Sequence, residues 1–540
     1  MQLALFQTDD QTVNIGAIAA EVGASEASVR NWIKTGYLQL DSKNRVTKES
    51  YIRFKEEVIG SEKLNKRANK KFFPDPASKF SKNATLAELT CPSAIYEKSL
   101  PVSVRNVEGI FYTPDHITDQ FFCDLPEDRE NLTFFDPCCG TGNFLVAAIR
   151  NGFSIRNIFG VDTDQAAINI AHLRLSQFPD FDPSNVQCRD FLQGCNTSDM
   201  RQGKFDVIIT NPPWGKKLPK TERELFGRAL GAGKSIDTCS LFFLAALKQL
   251  EIGGFGGFLL PESFFNVAVF ESVRRRALEL NLISVSDYGK PFFGLVTRAV
   301  GIIIRNTQIL QSNLSVRCSP ISRHGSYVRQ QDQFSRNPNS IINFNCTEDE
   351  ARTIDHIMGF RHCTLKGRAR WGLGIVTGNN SRYVKGEHLQ DYIPVCKGSD
   401  IALGQIKIPS SFIPMDLSLY QQVAPLEMYT APEKLIYKFI SNELVFFHDK
   451  EQRFVLNSAN ILIPDIEFKF DQKYLSEYLS SRIVNWMFKS IFGTHKILRS
   501  DLERLPLFLD FMEFGRRFCE IELCSYLGVE EARNGTFRLT

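Results

Sequence analysis

The chain has 540 residues, of which 64 are Lys or Arg and 61 are Asp or Glu, so its formal net charge is +3. This near balance excludes a protein that binds nucleic acid through overall positive charge alone, as histones do, and leaves room only for a local basic face. With 43% hydrophobic and 23% charged residues, the composition is typical of a globular chain with space for roughly three to four domains.

The cysteine residues and the length of the apolar runs indicate in which compartment the protein is expected. The thirteen Cys are an odd number and include no C-x-x-C pair, which argues against a disulfide framework or a zinc site and for a reducing compartment. No apolar run reaches the roughly 18 residues that a membrane-spanning helix needs, and the first residues lack the basic start of a signal peptide. We therefore expect a cytoplasmic protein with no membrane segment and no bound metal.

The first predicted domain, residues 1–60, contains two short helices. Ile15–Val22 has apolar residues at helical spacing, and Ser28–Ile33 follows after a Gly-containing turn. Two helices joined in this way are typical of a helix-turn-helix, and the segment resembles the small all-α domains of MerR-like regulators. Two interpretations stay open, namely DNA contact through Arg30 and Lys34, or an ordinary helical hairpin with a solvated charged face.

Two further N-terminal segments carry predictions about partners. Gln2–Phe6 resembles the short peptide with which bacterial proteins bind the replication sliding clamp, although its apolar side chains could equally cover the helical hairpin. Residues 61–90 are rich in Lys and Arg, lack periodicity and contain Pro74 and Pro76, so we predict a basic linker. This linker would either contact DNA phosphates or act as a solvated tether.

From residue 91 to residue 310, short β-rich runs alternate with helical ones, which predicts an α/β domain with helices on both faces of a sheet. After it we predict a second linker at 311–360 and a further domain at 361–540 with a helical tail, Lys473–Leu505. The predicted strands of the α/β domain are Leu132–Phe135, Ile158–Val161, Phe205–Thr210, Gly257–Leu260 and Val300–Ile304. Its predicted helices are Phe144–Ile149, Gln165–Ser176 and Ser240–Leu250.

The first predicted strand runs into a Gly-rich turn, D-P-C-C-G-T-G-N-F-L, at residues 136–145. Gly140 and Gly142 permit a tight turn between strand and helix, where a cofactor can approach the backbone. Asp162 ends the next strand, 20 positions after Gly142, where a carboxylate can accept hydrogen bonds from ribose hydroxyls. Leu145 replaces the third Gly of a dinucleotide fingerprint. The turn therefore predicts a nucleoside site, with its two Cys packed.

The strand Phe205–Thr210 leads into Asn211-Pro212-Pro213-Trp214. The prolines fix the backbone so that carbonyl groups point into a cleft rather than into a sheet. The side-chain oxygen of Asn211 and the carbonyl of Pro212 then form paired acceptors for the two N–H donors of an exocyclic amine, which would expose the nitrogen lone pair to a methyl donor. Trp214 would supply a face for a flat base. A purely structural Pro-Pro turn is the alternative.

Together, the two motifs resemble those of the S-adenosylmethionine-dependent DNA adenine-N6 methyltransferases. The resemblance covers about 109–305, and the order of a Y-T-P element, the glycine loop and N-P-P-W is the gamma arrangement of TaqI-type enzymes and type I modification subunits. It implies S-adenosylmethionine as the cofactor and a Rossmann-like core. It also implies an adenine flipped out of double-stranded DNA and methylated directly, because N6 is unreachable inside the stack.

The same resemblance implies a set of site residues. Asp136 would lie near the methionine amine of the cofactor, Asp190 at its adenine amine and Phe191 against its ring, while Phe293, with Phe292 as second choice, would pack on the flipped base. The implied catalytic residues are Asn211, Pro212, Pro213, Trp214 and Phe293. The implied cofactor-binding residues are Tyr112, Thr113, Pro114, Asp136, Gly140, Gly142, Asp162, Asp190 and Phe191.

The C-terminal region resembles the TaqI-type specificity domain at Gly374–Asn380, Val395–Ile401 and Ile497–Leu505. This implies an α+β target-recognition domain carried on the same chain, with no separate specificity subunit. A generic α/β appendage is the alternative interpretation.

The resulting hypothesis is the modification enzyme of a restriction–modification or defence system, with any nuclease on a separate chain. RNA methylation, cytosine-N4 methylation and a DNA-binding regulator with an inactive methylase core stay open.

Overall fold

A computed structural model provides the structure. It describes residues 12–22, 26–34, 38–41, 45–54, 111, 113–194, 204–215, 218–292, 297–308, 314–321, 325–465, 471–493, 496–512 and 517–540. The chain divides into two compact units, Met1–Phe264 with Arg275–Gln311 (unit 1) and Phe265–Arg274 with Ser312–Thr540 (unit 2). Four predictions lie outside the described residues: the Gln2–Phe6 peptide, the linker at 61–90, Tyr112 and Phe293.

The N-terminal part of unit 1 consists of short helices and a two-stranded antiparallel ribbon. The elements are β1 (Thr12–Val13), α1 (Ile15–Val22), α2 (Glu26–Lys34), β2 (Val46–Thr47) and α3 (Lys48–Arg53). Trp32 and Phe54 are buried in its small core with their ring centroids 5.0 Å apart. Arg30 is exposed and pairs with Glu26 at 3.1 Å on the same helix. DNA contact by this segment stays a prediction.

A mixed β-sheet forms the centre of unit 1. The strands of unit 1 in this sheet are β3 (Phe134–Asp136), β4 (Ile158–Asp162), β5 (Val186–Cys188), β6 (Phe205–Thr210), β7 (Leu250–Pro261), β8 (Leu280–Asp287) and β9 (Ala299–Gln308). They lie in the order β8-β9-β7-β6-β3-β4-β5. Neighbours from β5 to β7 pair in parallel, and β9 runs antiparallel between β7 and β8. The predicted α/β core is therefore confirmed, with each predicted strand present.

Helices connect the strands and cover the sheet. They are α4 (Asp115–Thr118), α5 (Asn143–Arg150), α6 (Gln165–Leu175), α7 (Phe191–Gly194), α8 (Lys220–Leu230), α9 (Thr238–Gln249), α10 (Ser263–Asn266) and α11 (Glu271–Leu278). The Asp164 side chain caps α6 by accepting from the amide of Ala166 at 2.9 Å, and that of Asp237 caps α9 by accepting from Cys239 at 3.1 Å. Such caps satisfy amides that the first turn of a helix leaves without partners.

The order of the strands creates a cleft at a defined place. The chain runs outward from β3 to β4 and β5, then returns to the other side of β3 as β6. In open α/β sheets, ligands bind outside the carboxyl ends of the strands at such a reversal. The residues that follow β3, β4 and β6 therefore converge at one edge of the sheet.

Unit 2 combines small sheets with helices. Its strands are β10 (Ser315–Ser319), β11 (Tyr327–Gln330), β12 (Ala369–Leu373), β13 (Tyr392–Cys396), β14 (Ile401–Ala402), β15 (Gln405–Ile406), β16 (Phe412–Pro414), β17 (Lys434–Lys438), β18 (Phe446–Asp449), β19 (Phe454–Val455), β20 (Ala459–Pro464), β21 (Val529–Glu531) and β22 (Phe537–Leu539). Its helices are α12 (Gln331–Arg336), α13 (Glu348–Met358), α14 (Asn380–Tyr383), α15 (Leu426–Tyr429), α16 (Gln472–Leu479), α17 (Arg482–Phe492), α18 (Arg499–Leu502) and α19 (Glu520–Leu527). The largest sheet has the order β12-β20-β17-β18. Where described strands of this unit pair with one another, only β13 and β19 pair in parallel.

The structure corrects two predictions in unit 2. Within the predicted linker at 311–360, the strands β10 and β11 and the helices α12 and α13 are ordered, and Ile341, Ile354 and Ile357 are buried in the core of unit 2. The polar composition of this stretch suggested a linker, but its buried polar groups form hydrogen bonds with one another. Arg329, for example, donates to Gln333 at 2.8 Å. The predicted helical tail is three separate helices, α16 to α18.

An ion pair lies inside unit 2 between β17 and β18. The Lys434 ammonium donates to Asp449 and to the carbonyl of Tyr429, both at 2.7 Å, and both charged side chains are fully buried. Arg453 contacts the second oxygen of Asp449 at 2.6 Å. Burial lowers the pKa of Lys434. Burial alone would raise the pKa of Asp449, but the hydrogen bond and charge of Lys434 outweigh it and leave that pKa lowered.

None of the helices that the structure describes is long and apolar enough to cross a lipid bilayer.

Candidate active site

A cavity of about 400 Å³ lies where β3, β4 and β6 end. Its volume falls in the range of roughly 300–1,000 Å³ that is usual for small-molecule sites. Carboxylates, two carboxamides and several aromatic rings line it, a mixture suited to a ligand with polar and flat apolar parts. The lining residues used below are Phe111, Thr113, Asp136, Cys138, Gly140, Asn143, Asp162, Asp190, Phe191, Asn211, Pro213 and Phe242.

The glycine turn is held open by the carboxylate of Asp162. One oxygen of Asp162 accepts from the amide of Gly140 at 2.8 Å, and the other accepts from the amide of Asp164 at 2.9 Å. Gly140 and Gly142 have φ values of 50° and 81°, which residues with a Cβ rarely adopt. Because each carboxylate oxygen has a second lone pair, Asp162 keeps the capacity to accept from a ligand hydroxyl.

Asp136 ends β3 in a fully buried position. Its Oδ1 accepts from the Thr210 hydroxyl at 2.6 Å and from the amide of Cys138 at 3.1 Å. Burial raises the pKa of Asp136 to about 7, against the lowering effect of those two hydrogen bonds, and the charge of Asp162 adds to the rise. The carboxyl group therefore holds a proton more readily than an ordinary Asp does.

Cys138 connects the glycine turn to the N-P-P-W segment. Its Sγ lies 2.8 Å from the Thr210 hydroxyl and donates to the backbone carbonyl of Asn211 at 3.3 Å. Burial raises the pKa of the thiols of Cys138 and Cys139 well above the usual value, so neither is a ready nucleophile. Cys139 is buried, and Cys138 forms part of the cavity wall.

The Asn211 side chain has a defined orientation. Its Nδ2 donates to the carbonyl of Phe111 at 2.8 Å and to the Thr113 hydroxyl at 3.2 Å. A carboxamide nitrogen carries two N–H groups, so both are used. Within the described part of the chain, no donor is bonded to Oδ1 of Asn211 or to the carbonyl oxygen of Pro212. Asn211 and Pro213 line the cavity, whereas Pro212 is buried and is not part of the lining.

The structure buries the ring that we expected to offer an open face. Trp214 is only 8% exposed, and its Nε1 donates to the carbonyl of Leu259 at 3.2 Å. The ring of Phe292 meets the indole edge-on at a centroid distance of 5.5 Å, and that of Phe111 lies 6.3 Å away. Stacking of a base on Trp214 stays a prediction, and it requires that one of these neighbouring rings moves aside.

Aromatic rings form another part of the cavity wall, beside the carboxylate of Asp190. Phe191 is buried between Phe135 and Phe242, with ring centroids 5.8 and 5.6 Å away. Asp190, just before it, is exposed and accepts from the amide of Gln193 at 3.1 Å. A flat ring with an amine edge would fit a wall that ends in a carboxylate.

The cavity gathers many, but not all, of the predicted cofactor residues. Those on its lining are Thr113, Asp136, Gly140, Asp162, Asp190 and Phe191. Pro114 precedes α4, and Gly142 precedes α5; neither is part of the lining. The sequence did not single out Asn143 or Thr210, although both belong to the quoted motifs. Their importance follows only from the contacts of their side chains.

Comparison with known proteins identifies the enzyme class. Residues 93–303 match the N-6 DNA Methylase family, and residues 393–507 match the TaqI-like C-terminal specificity domain. The chain is 46% identical over 408 residues to the type II methyltransferase M.VspI of Vibrio sp. (strain 343), a match that covers 74% of this chain and 98% of that relative. The chain belongs to the N-6 DNA methylase family. The predicted enzyme class, a DNA adenine methyltransferase, is confirmed by this membership.

More distant proteins are similar to this chain in sequence or in fold. The methylase is 24% identical over 215 residues to the modification methylase CviBIII of Paramecium bursaria Chlorella virus NC1A, covering 39% of this chain and 53% of that one. Its fold is similar to those of the type IIL restriction–modification enzyme MmeI in complex with DNA and of the DrdV–DNA complex. The TM-scores are 0.52 and 0.51 at 12% identity, covering 91% of this chain in both cases and 83% and 67% of the respective neighbours.

Proposed function

We propose that this methylase transfers a methyl group from S-adenosylmethionine to N6 of an adenine flipped out of double-stranded DNA. The site would be chosen by its own TaqI-like C-terminal region, and the methylase would act as the modification enzyme of a restriction–modification system. The order of its motifs is that of the gamma class. The type II relative from Vibrio and the modification methylase CviBIII support this context.

The orientation of the Asn211 amide carries the proposal. Because Phe111 and Thr113 take both hydrogens of Nδ2, Oδ1 is left as an acceptor. An exocyclic amine bound to this oxygen and to the carbonyl of Pro212 would donate both of its hydrogens. Its nitrogen lone pair would then be drawn out of conjugation with the ring and become nucleophilic. Positioning and lone-pair activation of this kind need no covalent enzyme intermediate.

The cavity residues fit S-adenosylmethionine by their chemistry. Asp162 can accept from ribose hydroxyls, the Asp190 carboxylate can accept from an adenine amine, and Phe191 can pack on the ring. Asp136 offers a carboxyl group to the methionine ammonium. When bound, the cofactor supplies a methyl group on positively charged sulfur. Asp136 and Asp190 would hold the two polar ends of the cofactor, Asp162 would hold the ribose between them, and Phe191 would cover the adenine ring.

The raised pKa of Asp136 predicts a pH-dependent cofactor affinity. Below a pH of about 7 the carboxyl is mainly protonated in the free protein, and an ammonium bound beside it favours the charged form. Binding therefore releases a proton, so the association constant should rise by up to about tenfold per pH unit between pH 5.5 and 7 and level off above that. Calorimetric titration of the purified methylase with S-adenosylmethionine measures this slope.

The matched control for that titration is Asp136→Asn, which keeps the size of the side chain and removes the titrating proton. Its affinity should be weaker and flat over the same pH interval. A wild-type profile without a slope, or an equal slope in the Asn variant, would show that Asp136 does not face the cofactor ammonium.

Methylation-sensitive long-read sequencing tests the proposed function. DNA from cells that express the methylase should carry N6-methyladenine at one short motif, and DNA from cells that express Asn211→Ala should not. In vitro, radiolabelled S-adenosylmethionine should label duplex DNA and leave RNA of the same sequence unlabelled. N4-methylcytosine at the motif, labelled RNA, or no modified base with a folded, cofactor-binding protein would each overturn the proposal.

A further inference from the structure

We propose that Arg174, Asn143 and Thr113 form a chain of hydrogen bonds that holds the Asn211 amide in the orientation needed for methyl transfer. They would be positioning residues, because they act through Asn211. The proposal rests on the proposed function of Asn211 as the acceptor for the target amine.

The chain of bonds runs from α6 to the end of β6. A guanidinium nitrogen of Arg174 (Nη1) donates to Oδ1 of Asn143 at 2.7 Å and to the carbonyl of Thr141 at 2.7 Å. Nδ2 of Asn143 donates to the carbonyl of Thr113 at 2.8 Å. The hydroxyl of Thr113 accepts from Nδ2 of Asn211 at 3.2 Å. Three hydrogen bonds therefore separate Arg174 from the predicted catalytic amide.

The direction of each bond determines which way the amide faces. A carboxamide is nearly symmetric in shape, and turning it by half a revolution exchanges its oxygen and its nitrogen. For Asn211, the exchange would place Oδ1 against the carbonyl oxygen of Phe111 and would present two N–H groups to the target amine. Both contacts would be repulsive. The carbonyl of Phe111 can only accept, so it selects the productive orientation, and Asn143 holds the backbone of Thr113 so that the Thr113 hydroxyl stays within reach of Nδ2 as a second acceptor.

Arg174 fixes Asn143 by the same logic. Its guanidinium has donors and no acceptor, so it can donate only to the oxygen of the Asn143 amide. The nitrogen of that amide, Nδ2, then faces the carbonyl of Thr113. Arg174 is partly buried in the last turn of α6 and is not part of the cavity lining. An effect of Arg174 on the rate of transfer would therefore be transmitted through Asn143 and Thr113.

Steady-state kinetics and cofactor binding test the chain on the full-length methylase. Thr113→Val and Arg174→Met each remove a hydrogen-bonding group, and each should lower kcat about tenfold, with the KM for DNA within about threefold of wild type. Because Arg174 is not part of the cavity lining, Arg174→Met should also keep the cofactor Kd within about threefold. Thr113→Ser and Arg174→Lys keep a hydroxyl and a donor, and they should recover most of the lost rate. Arg156→Met is the matched control, since Arg156 is exposed and pairs only with Asp180 in the described contacts.

Failure of the positioning chain and failure of the proposed function of Asn211 would give different results. Normal kcat in Thr113→Val and Arg174→Met, together with an inactive Asn211→Ala, would overturn the positioning chain alone. Equal losses of kcat, cofactor affinity and melting temperature without recovery in the conservative variants would also overturn it, because they indicate a structural role. Retained activity in Asn211→Ala would overturn the function of Asn211 and the chain with it.

Discussion

Replacing Asn211 with Ala should lower kcat for methyl transfer by at least about 10²–10³-fold, the loss seen when one oriented polar group is removed from a reacting centre. The cofactor Kd should stay within about threefold, since the truncated side chain leaves the Asp162 and Phe191 side of the cavity intact. The reason is geometric. The variant removes the oxygen that accepts from the amine, and the carbonyl of Pro212 cannot polarise the amine alone. Single-turnover labelling with excess enzyme measures the transfer step.

Two controls define that result. Asn169→Ala removes the same group from an exposed position on α6, where Asn169 bonds only to Gln165 in the described contacts, and it should leave kcat unchanged. Asn211→Asp keeps an acceptor but places a carboxylate oxygen against the carbonyl of Phe111, so it should be strongly impaired. Loss of cofactor binding in parallel with transfer in Asn211→Ala would mean that the residue belongs to the cofactor site instead.

The buried ion pair of unit 2 should give the largest effect on stability. Asp449→Leu leaves the ammonium of Lys434 fully buried with only the carbonyl of Tyr429 as partner. An uncompensated buried charge costs about 3–5 kcal/mol in the free energy of unfolding. Chemical denaturation followed by circular dichroism measures this loss.

The double variant Lys434→Met with Asp449→Leu distinguishes the charge from the packing. It removes both fully buried ions and leaves Arg453, which is partly exposed, with Glu451 as its partner, so it should recover most of the stability that Asp449→Leu loses. Glu530→Gln breaks an exposed contact with Arg538 and should change the unfolding free energy by less than about 0.5 kcal/mol. A double variant as unstable as Asp449→Leu would show that side-chain packing, and not the unpaired charge, explains the loss.

The sequence predicted the catalytic half well because its signals are local. The strand Phe205–Thr210 was predicted residue for residue. Its apolar run begins directly after Lys204 and ends before the Pro-Pro turn, so both ends of the strand are marked in the sequence. The glycine turn at 136–145 and Asp162 were found for the same reason: their spacing along the chain reflects the strand–turn–helix geometry directly.

Other parts of the site depend on contacts that no local pattern encodes. The burial of Trp214 arises from Phe111 and Phe292, which are about 100 and 80 positions away in the chain. Arg174 looked like an ordinary helix residue, because its partner Asn143 is distant in sequence. Residues 311–360 looked like a linker because the stretch is polar in sequence. In the structure, buried polar groups such as Arg329 form hydrogen bonds with other polar groups, and the sequence does not show these partners.

The described cavity lining runs from Phe111 to Phe242 and lies entirely within unit 1. Among the residues between 312 and 540 that the structure describes, none is part of that lining. If the TaqI-like segment at 393–507 selects the target, as proposed, its exchange for that of a relative would redirect the methylase to a new DNA sequence and leave the described cavity unchanged. We expect that hybrids between this chain and its relatives will inherit their site preference from one parent and their turnover from the other.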